Sequence, residues 1–179
     1  NNGKVYRQEY SKGKVKSKVK IEKCSKNMKG TEITFLPDET IFDVTTYDPK
    51  KLYNFIKMKS VLVSGTKITL EIDKELINDK TPNKKDFYYK NGIEDFFKIE
   101  YFKKNKLFEK NFSLKNSLNQ NENFEVYISF NMNESSSLKS YCNTIETPDG
   151  GSHEIGVKNG LIKAIKLYGQ KNQISKINN

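Results

Sequence analysis

The chain is poor in the residues that build metal centres and disulfide frameworks. Its 179 residues hold two cysteines, Cys24 and Cys142, and one histidine, His153. Neither cysteine has near neighbours of metal-ligand type, so neither a zinc site nor a disulfide scaffold is indicated. Two free thiols in a reducing compartment remain. No run approaches the ~20 consecutive apolar residues that a membrane helix needs. The start, Asn1-Asn2-Gly3-Lys4, has neither a methionine nor an apolar signal region, so the chain is expected to be soluble, cytosolic and truncated at its front. Internal repeats and sustained low-complexity segments are lacking as well. No Ser, Cys or carboxylate is spaced to form a triad with His153, which reads as a structural histidine at a helix start.

What is present is a core and an uneven charge. Hydrophobic residues make up 35% and aromatics 12%, enough for one ordinary domain or two small ones. The net charge of +10 sits at the two ends: residues 1–30 hold ten Lys/Arg against two Glu, residues 151–179 five Lys against one Glu, and the middle is slightly acidic. Lys12, Lys14, Lys16, Lys18 and Lys20 recur every second residue, which predicts one face of a strand. Such a ladder either holds phosphates by counterion release or protects a solvated strand from edge pairing. Abundant Lys, Asn and Ile also fit an AT-rich genome.

Patterning predicts strands over 4–10 and 14–22 joined by Ser11-Lys12-Gly13, and a third from Glu32 to Leu36 closed by Pro37-Asp38. Asp48-Pro49 predicts a helix start, with Leu52, Phe55 and Ile56 as the apolar stripe and Ser64-Gly65 as the stop. Ile68, Leu70 and Ile72 alternate as in a half-buried strand. The polar stretch Asp73 to Lys85 is the best candidate boundary, placed near residue 84. Beyond it are expected a short strand at Phe87-Tyr88-Tyr89, a helix from Gly92 to Phe102 carrying Ile93, Phe96, Phe97 and Tyr101, and mostly loop over 103–122. A strand with Phe124, Val126, Ile128 and Phe130 on one face then turns at Asn131 to Ser136 into a partner strand from Ser137 to Asn143. Last comes a helix capped by Ser152, with Val157, Leu161, Ala164, Ile165 and Tyr168 on its stripe and Ile155 and Ile162 at the border. Lys163 and Lys166 fall on its opposite side. Lys158 projects inside the apolar arc, among Ile155, Ile162 and Ile165.

Three segments carry a resemblance. Thr147-Pro148-Asp149-Gly150-Gly151-Ser152-His153-Glu154, entered from Ser140-Tyr141-Cys142-Asn143-Thr144, resembles the transducer signature of the ATPase-bearing B subunit of bacterial type IIA DNA topoisomerases. In that signature a strand with an Asn-Thr pair turns through a double glycine into a helix. Gly3-Lys4-Val5-Tyr6-Arg7-Gln8-Glu9-Tyr10 and Lys29-Gly30-Thr31-Glu32-Ile33-Thr34-Phe35-Leu36-Pro37-Asp38 agree with it in order and spacing. Details such as Pro49-Lys50-Lys51-Leu52-Tyr53 look more like topoisomerase IV than gyrase. Ser152 in place of a threonine, Asn1 in place of an arginine, and Gly160 in a helix that is usually alanine-rich are departures.

The resemblance implies an α+β fold: the terminal strands and helix of a GHKL-type ATPase sandwich over residues 1–83, then a ribosomal-protein-like transducer domain of β-α-β type over 84–179, incomplete at its C-terminus. It implies ATP and Mg2+ as cofactors, held mainly by residues outside this chain, since the family's catalytic glutamate, magnesium-binding asparagine and phosphate lid would lie upstream of Asn1 and its γ-phosphate loop beyond Asn179. Gly30, Thr31 and Ile33 would form part of the adenine site, Thr31 reading the amino group with an ordered water. Lys158, Lys163 and Lys166 would face DNA. The stem of Lys158 could equally snorkel across the core edge. Implied partners are DNA, the topoisomerase A subunit and a second ATPase subunit on ATP binding, with no membrane; the implied compartment is the bacterial cytoplasm, or a plastid in a eukaryote. The implied activity is that of an ATP-hydrolysing type II DNA topoisomerase, an isomerase, with the fragment alone inactive and no catalytic or metal-binding residue of its own. The competing readings are a basic nucleic-acid-binding module of ribosomal-protein-like fold without nucleotide chemistry, and a degenerate gene fragment.

Overall fold

The computed structural model describes residues 3–101, 111–117, 119, 122–132 and 136–174. Contacts divide the chain into two compact units, residues 1–48 and 49–179.

In the first unit β1 (Lys4–Arg7), β2 (Tyr10–Ser11), β3 (Lys14–Val15) and β4 (Lys20–Lys23) form two small antiparallel hairpins. β1 pairs with β4, Lys4 opposite Lys23, and β2 with β3, Tyr10 opposite Val15. Lys12 and Gly13, at φ 51° and 76°, make the left-handed two-residue turn that suits the strand twist. The expected lysine ladder does not form. The Glu9 carbonyl accepts from the amides of both Lys16 (2.8 Å) and Ser17 (3.4 Å), and the Glu9 amide donates to Ser17 Oγ at 3.1 Å. Two residues oppose one, as in a bulge, and the alternation is broken. Lys12 is in the turn, donating to Thr40 Oγ1 at 2.8 Å, and Lys16 and Lys18 lie between strands. The strand expected from Glu32 to Leu36 is also absent, residues 28–38 having no regular structure. Alternation alone cannot make a strand without a neighbouring edge to bond, and Ile33 and Phe35 stay 79% and 69% exposed. Pro37-Asp38 does end the segment: Asp38 Oδ1 accepts from the Thr40 amide at 2.8 Å.

The second unit begins with α1 (Pro49–Leu62), where the proline takes the first helical position as expected. Gly65 at φ 76° closes the segment. Ser60 and Val61 are buried, and Leu52, Tyr53, Ile56 and Met58 pack against the core. That arc turns away from Phe55, which was expected inward and is 57% exposed. β5 (Ile68–Glu71) pairs with β6 (Lys84–Phe87), Ile68 opposite Phe87. The polar stretch between them contains a 3-10 turn at Lys74–Leu76. β6 starts earlier than the strand expected at 87–89, because its ladder is set by β5; Phe87 and Tyr89 are nevertheless buried. Val61, Leu70, Ile72, Phe87 and Tyr89 form the core.

α2 (Ile93–Tyr101) follows close to expectation. Gly92, at φ +59°, makes it possible: a Cβ there would stand 2.9 Å from the Val61 carbonyl oxygen. Residues 102–110, 118, 120–121 and 133–135, on which much of the expected loop and hairpin turn fall, lie outside the described residues. The described part of that loop is a strand. β7 (Phe112–Ser117) pairs with β8 (Asn123–Ile128) from Phe112 opposite Ile128 to Ser117 opposite Asn123. So β8 finds its partner before it in sequence, whereas residues 137–140 form no strand. α2 meets β8 where Phe97 lies 5.6 Å from Tyr127, and burial, then Glu125 and Glu94, push the Tyr127 hydroxyl up to about 12.

β9 (Tyr141–Cys142) and β10 (Ile145–Glu146) form a tight hairpin that enters α3 (Ser152–Lys171). Of the stripe expected on α3, Val157 and Leu161 are half-buried, while Ala164, Ile165 and Tyr168 are exposed.

Candidate functional site

Within the segment 140–158 hydrogen bonds and an ion pair join Ser140, Thr147, His153, Glu154 and Lys158. Its geometry follows from the two glycines. Gly150 sits at φ +73°, a left-handed position that costs glycine little, and a Cβ there would press on the Glu154 carboxylate at 3.2 Å. A Cβ on Gly151 would stand 2.7 Å from His153 Cε1. Gly151 therefore leaves room for the imidazole to fold back over the helix start. It also takes the N-cap position, with no side-chain cap hydrogen bond. Ser152, expected as the cap, is the first residue of the helix instead, one residue too late to cap it.

Four side chains then connect in series. Ser140 Oγ donates to Glu154 Oε1 at 2.5 Å and lies 2.5 Å from Thr147 Oγ1. Thr147 Oγ1 is 3.2 Å from His153 Nε2. Each hydroxyl has one proton. With the Ser140 proton directed to Glu154, Thr147 must donate to Ser140, and His153 must carry its proton on Nε2 to donate to Thr147. The run is directional, from imidazole to carboxylate. The Ser140 hydrogen bond, followed by the charge of Lys158, holds the Glu154 carboxyl below its ordinary range. Glu154 Oε2 lies 3.6 Å from Lys158 Nζ, the lysine side chain 60% and the glutamate 15% exposed.

Lys158 is therefore at the surface beside a carboxylate. It does not cross a core edge, because Ile155, Ile162 and Ile165 around it are exposed themselves. Lys163 and Lys166 are exposed on the same helix. The motif residues Asp149, Gly150, Gly151, Ser152, His153 and Glu154 are thus brought together with Lys158. Ser140 and Thr147 stand in the motif segments, but their pairing was not legible in the sequence, since hydroxyls seven residues apart carry no period that marks them as partners.

Gly30, Thr31 and Ile33 lie in the first unit. Gly30 is at φ +144°, a conformation only glycine adopts easily. Thr31 is exposed and its hydroxyl makes no hydrogen bond among the described residues. Among the described residues, no group of three His, Cys, Asp or Glu could hold a metal ion, and no helix is long and apolar enough to cross a membrane.

Residues 92–179 match the family described as DNA gyrase B. The chain is 34% identical over 171 residues to the DNA topoisomerase 4 B subunit of Rickettsia felis, a match that covers 94% of this chain and 26% of that protein. It is 34% identical over 172 residues to the DNA gyrase B subunit of Campylobacter jejuni, at 96% and 21% coverage. Among solved structures it is similar to the 43K ATPase domain of Thermus thermophilus gyrase B in complex with an aminocoumarin: TM-score 0.73, 26% identity, 97% of this chain and 46% of that one. The chain spans about a quarter of the length of the curated relatives it matches.

Proposed function

We propose that this chain, whose residues 92–179 match the family described as DNA gyrase B and which is similar along most of its length to type II DNA topoisomerase B subunits, works as the part of such a protein that couples ATP binding and hydrolysis to DNA strand passage, in relaxation or decatenation. The observation that carries the reading is the polar network around Gly150-Gly151, which fixes the first turn of α3 and with it the base of Lys158. On this reading residues 1–83 are the end of the GHKL-type domain and residues 84–179 the transducer; the family match falls inside the second.

Thr31 and Ile33, with Gly30 shaping the backbone before them, line the adenine edge of the nucleotide. ATP, with Mg2+, supplies the phosphoryl group whose loss resets the enzyme, and this chain's share is to read the base and pass the state on. Lys158, Lys163 and Lys166 present charge to DNA phosphates, which strengthens binding by counterion release. The partners of this reading are DNA, the topoisomerase A subunit and a second B subunit. Similarity to the topoisomerase IV protein from Rickettsia felis at 34% identity supports that enzyme over gyrase only weakly, since the gyrase protein from Campylobacter jejuni reaches the same value.

The test is ATP-dependent relaxation of supercoiled DNA by the full-length B subunit together with its A subunit. DNA binding with no nucleotide dependence at any stage would instead support the basic ribosomal-protein-like module. The segment by itself is expected to hydrolyse no ATP, because positioning is most of phosphoryl-transfer catalysis. Turnover by the pure segment would overturn the assignment of the catalytic groups to other parts of the full-length protein.

A further inference from the structure

The hairpin that leads into α3 closes on a strained turn. Asn143 and Thr144 sit at φ 48° and 69°, the pair of left-handed residues that a two-residue hairpin needs. Asparagine tolerates this. Threonine does not, since a β-branched residue in that region is a conformational outlier that persists only when its surroundings hold it. The holder is 85 residues away in sequence. Lys59 Nζ, from the last turn of α1, donates to the Thr144 carbonyl oxygen at 2.7 Å and lies 3.0 Å from Thr144 Oγ1. Its ammonium also stands 5.2 Å from the centre of the Phe55 ring. One half-buried cation thus grips both oxygens of the strained residue and is itself steadied on an aromatic face.

From that turn the path to α3 is short. The Thr147 amide donates to the Ser140 carbonyl at 2.9 Å, the two hydroxyls meet across the hairpin base, and Ser140 holds the Glu154 oxygen pair whose other member faces Lys158.

We propose that Lys59 is a positioning residue that locks the Asn143-Thr144 turn from α1 and, through the Ser140, Thr147 and Glu154 network, sets where Lys158 meets a nucleic-acid phosphate. The inference rests on the reading of Lys158 as a phosphate contact. Two of the three N–H donors of Lys59 go to Thr144, so the role assigned to it is to hold the turn, and the double variant below separates that role from a phosphate contact of its own.

The experiment is a salt titration of duplex DNA binding by the full-length protein, comparing the parent with Lys59→Met, Lys158→Ala, the double variant and Thr144→Val. Losing one phosphate contact lowers the slope of log affinity against log salt by ~1. Lys158→Ala and Lys59→Met are each expected to lower it by about that amount, with no further fall in the double variant. Thr144→Val, which keeps the branched shape and removes one acceptor, is expected to move it the same way by less, and it decides the matter if Lys59→Met does not fold. A summed fall of ~2 in the double variant would make Lys59 a phosphate contact in its own right and overturn the proposal. So would a lower melting temperature for Lys59→Met or Thr144→Val at unchanged slope. An unchanged slope for Lys158→Ala would remove the phosphate reading of Lys158 and the proposal with it, whereas a fall for Lys158→Ala alone would sink only the role of Lys59.

Discussion

The two units obey the same local rules with different results. In residues 49–179 the strand and helix patterns meet partners: β5 pairs with β6, α1 packs against the same core, and five apolar side chains are buried among the described residues. In residues 1–48 the turn chemistry is equally good and two hairpins form, yet among the described residues those that form the buried core all belong to the other unit. Turns and hairpins are decided within a few residues, whereas burial needs a second apolar surface at the right distance.

The sharpest way to break this comparison is to truncate one apolar side chain in each unit. Phe87, 3% exposed, should cost ~3 to 5 kcal/mol when changed to alanine. Leu36, 89% exposed, should cost under about 0.5 kcal/mol in the same segment. Urea denaturation of the segment measures both. Equal losses would mean that the first unit has a core after all.

A smaller effect is expected at the joint of α1 and α2. Gly92→Ala places a Cβ against the Val61 carbonyl at a left-handed φ, and a cost of ~1 to 3 kcal/mol follows. Gly13→Ala in the first unit is the control. It also has a positive φ, but nothing within 4 Å of the added carbon, so it isolates the backbone cost from the clash. If the two substitutions lose the same stability, the close approach at Gly92 contributes nothing.

In the full-length protein, Thr31→Val keeps the branched shape and removes the open hydroxyl. If Thr31 reads the adenine amino group, ATP should bind more weakly by ~1 kcal/mol, the worth of one hydrogen bond, and discrimination against GTP should shrink. Equal weakening for both nucleotides would show that Thr31 shapes the site without reading the base. Unchanged affinity for both would leave Gly30-Thr31 as turn chemistry alone.

The smallest effect concerns pH. The folded Glu154 carboxyl titrates below its ordinary range, so its contribution is fully present above the unfolded value of ~4.3 and is lost as pH falls through the lower folded value. Glu154→Gln should therefore lose melting temperature relative to the parent at pH 7, and the gap should narrow toward pH 3. Parallel curves across that range would remove the Ser140 hydrogen bond as the cause.

Several elements were legible because their signals are local. Asp48-Pro49, the alternation through Ile72, the spacing of Ile93, Phe96 and Phe97, and the double glycine before α3 each act within a turn or a strand, and each marks a real feature. Phe112 and Leu114 carried a strand signal too, but the surrounding Asn and Lys obscured it. The lysine ladder failed for the opposite reason: its period was perfect, and a bulge at Glu9, invisible to periodicity, broke it.

The amino-acid sequence by itself determined several of the turns, which segments are amphipathic, and through three ordered motifs the family that the chain resembles. The tertiary structure alone decided who pairs with whom: β8 with β7 instead of the residues after it, Ser140 with Glu154, and Lys59 with Thr144. Those partners are separated by many positions, up to eighty-five for Lys59 and Thr144, and no periodicity of a strand or helix reaches across such gaps. A hydrogen bond also needs direction and distance within a few tenths of an ångström, which only a folded backbone can supply.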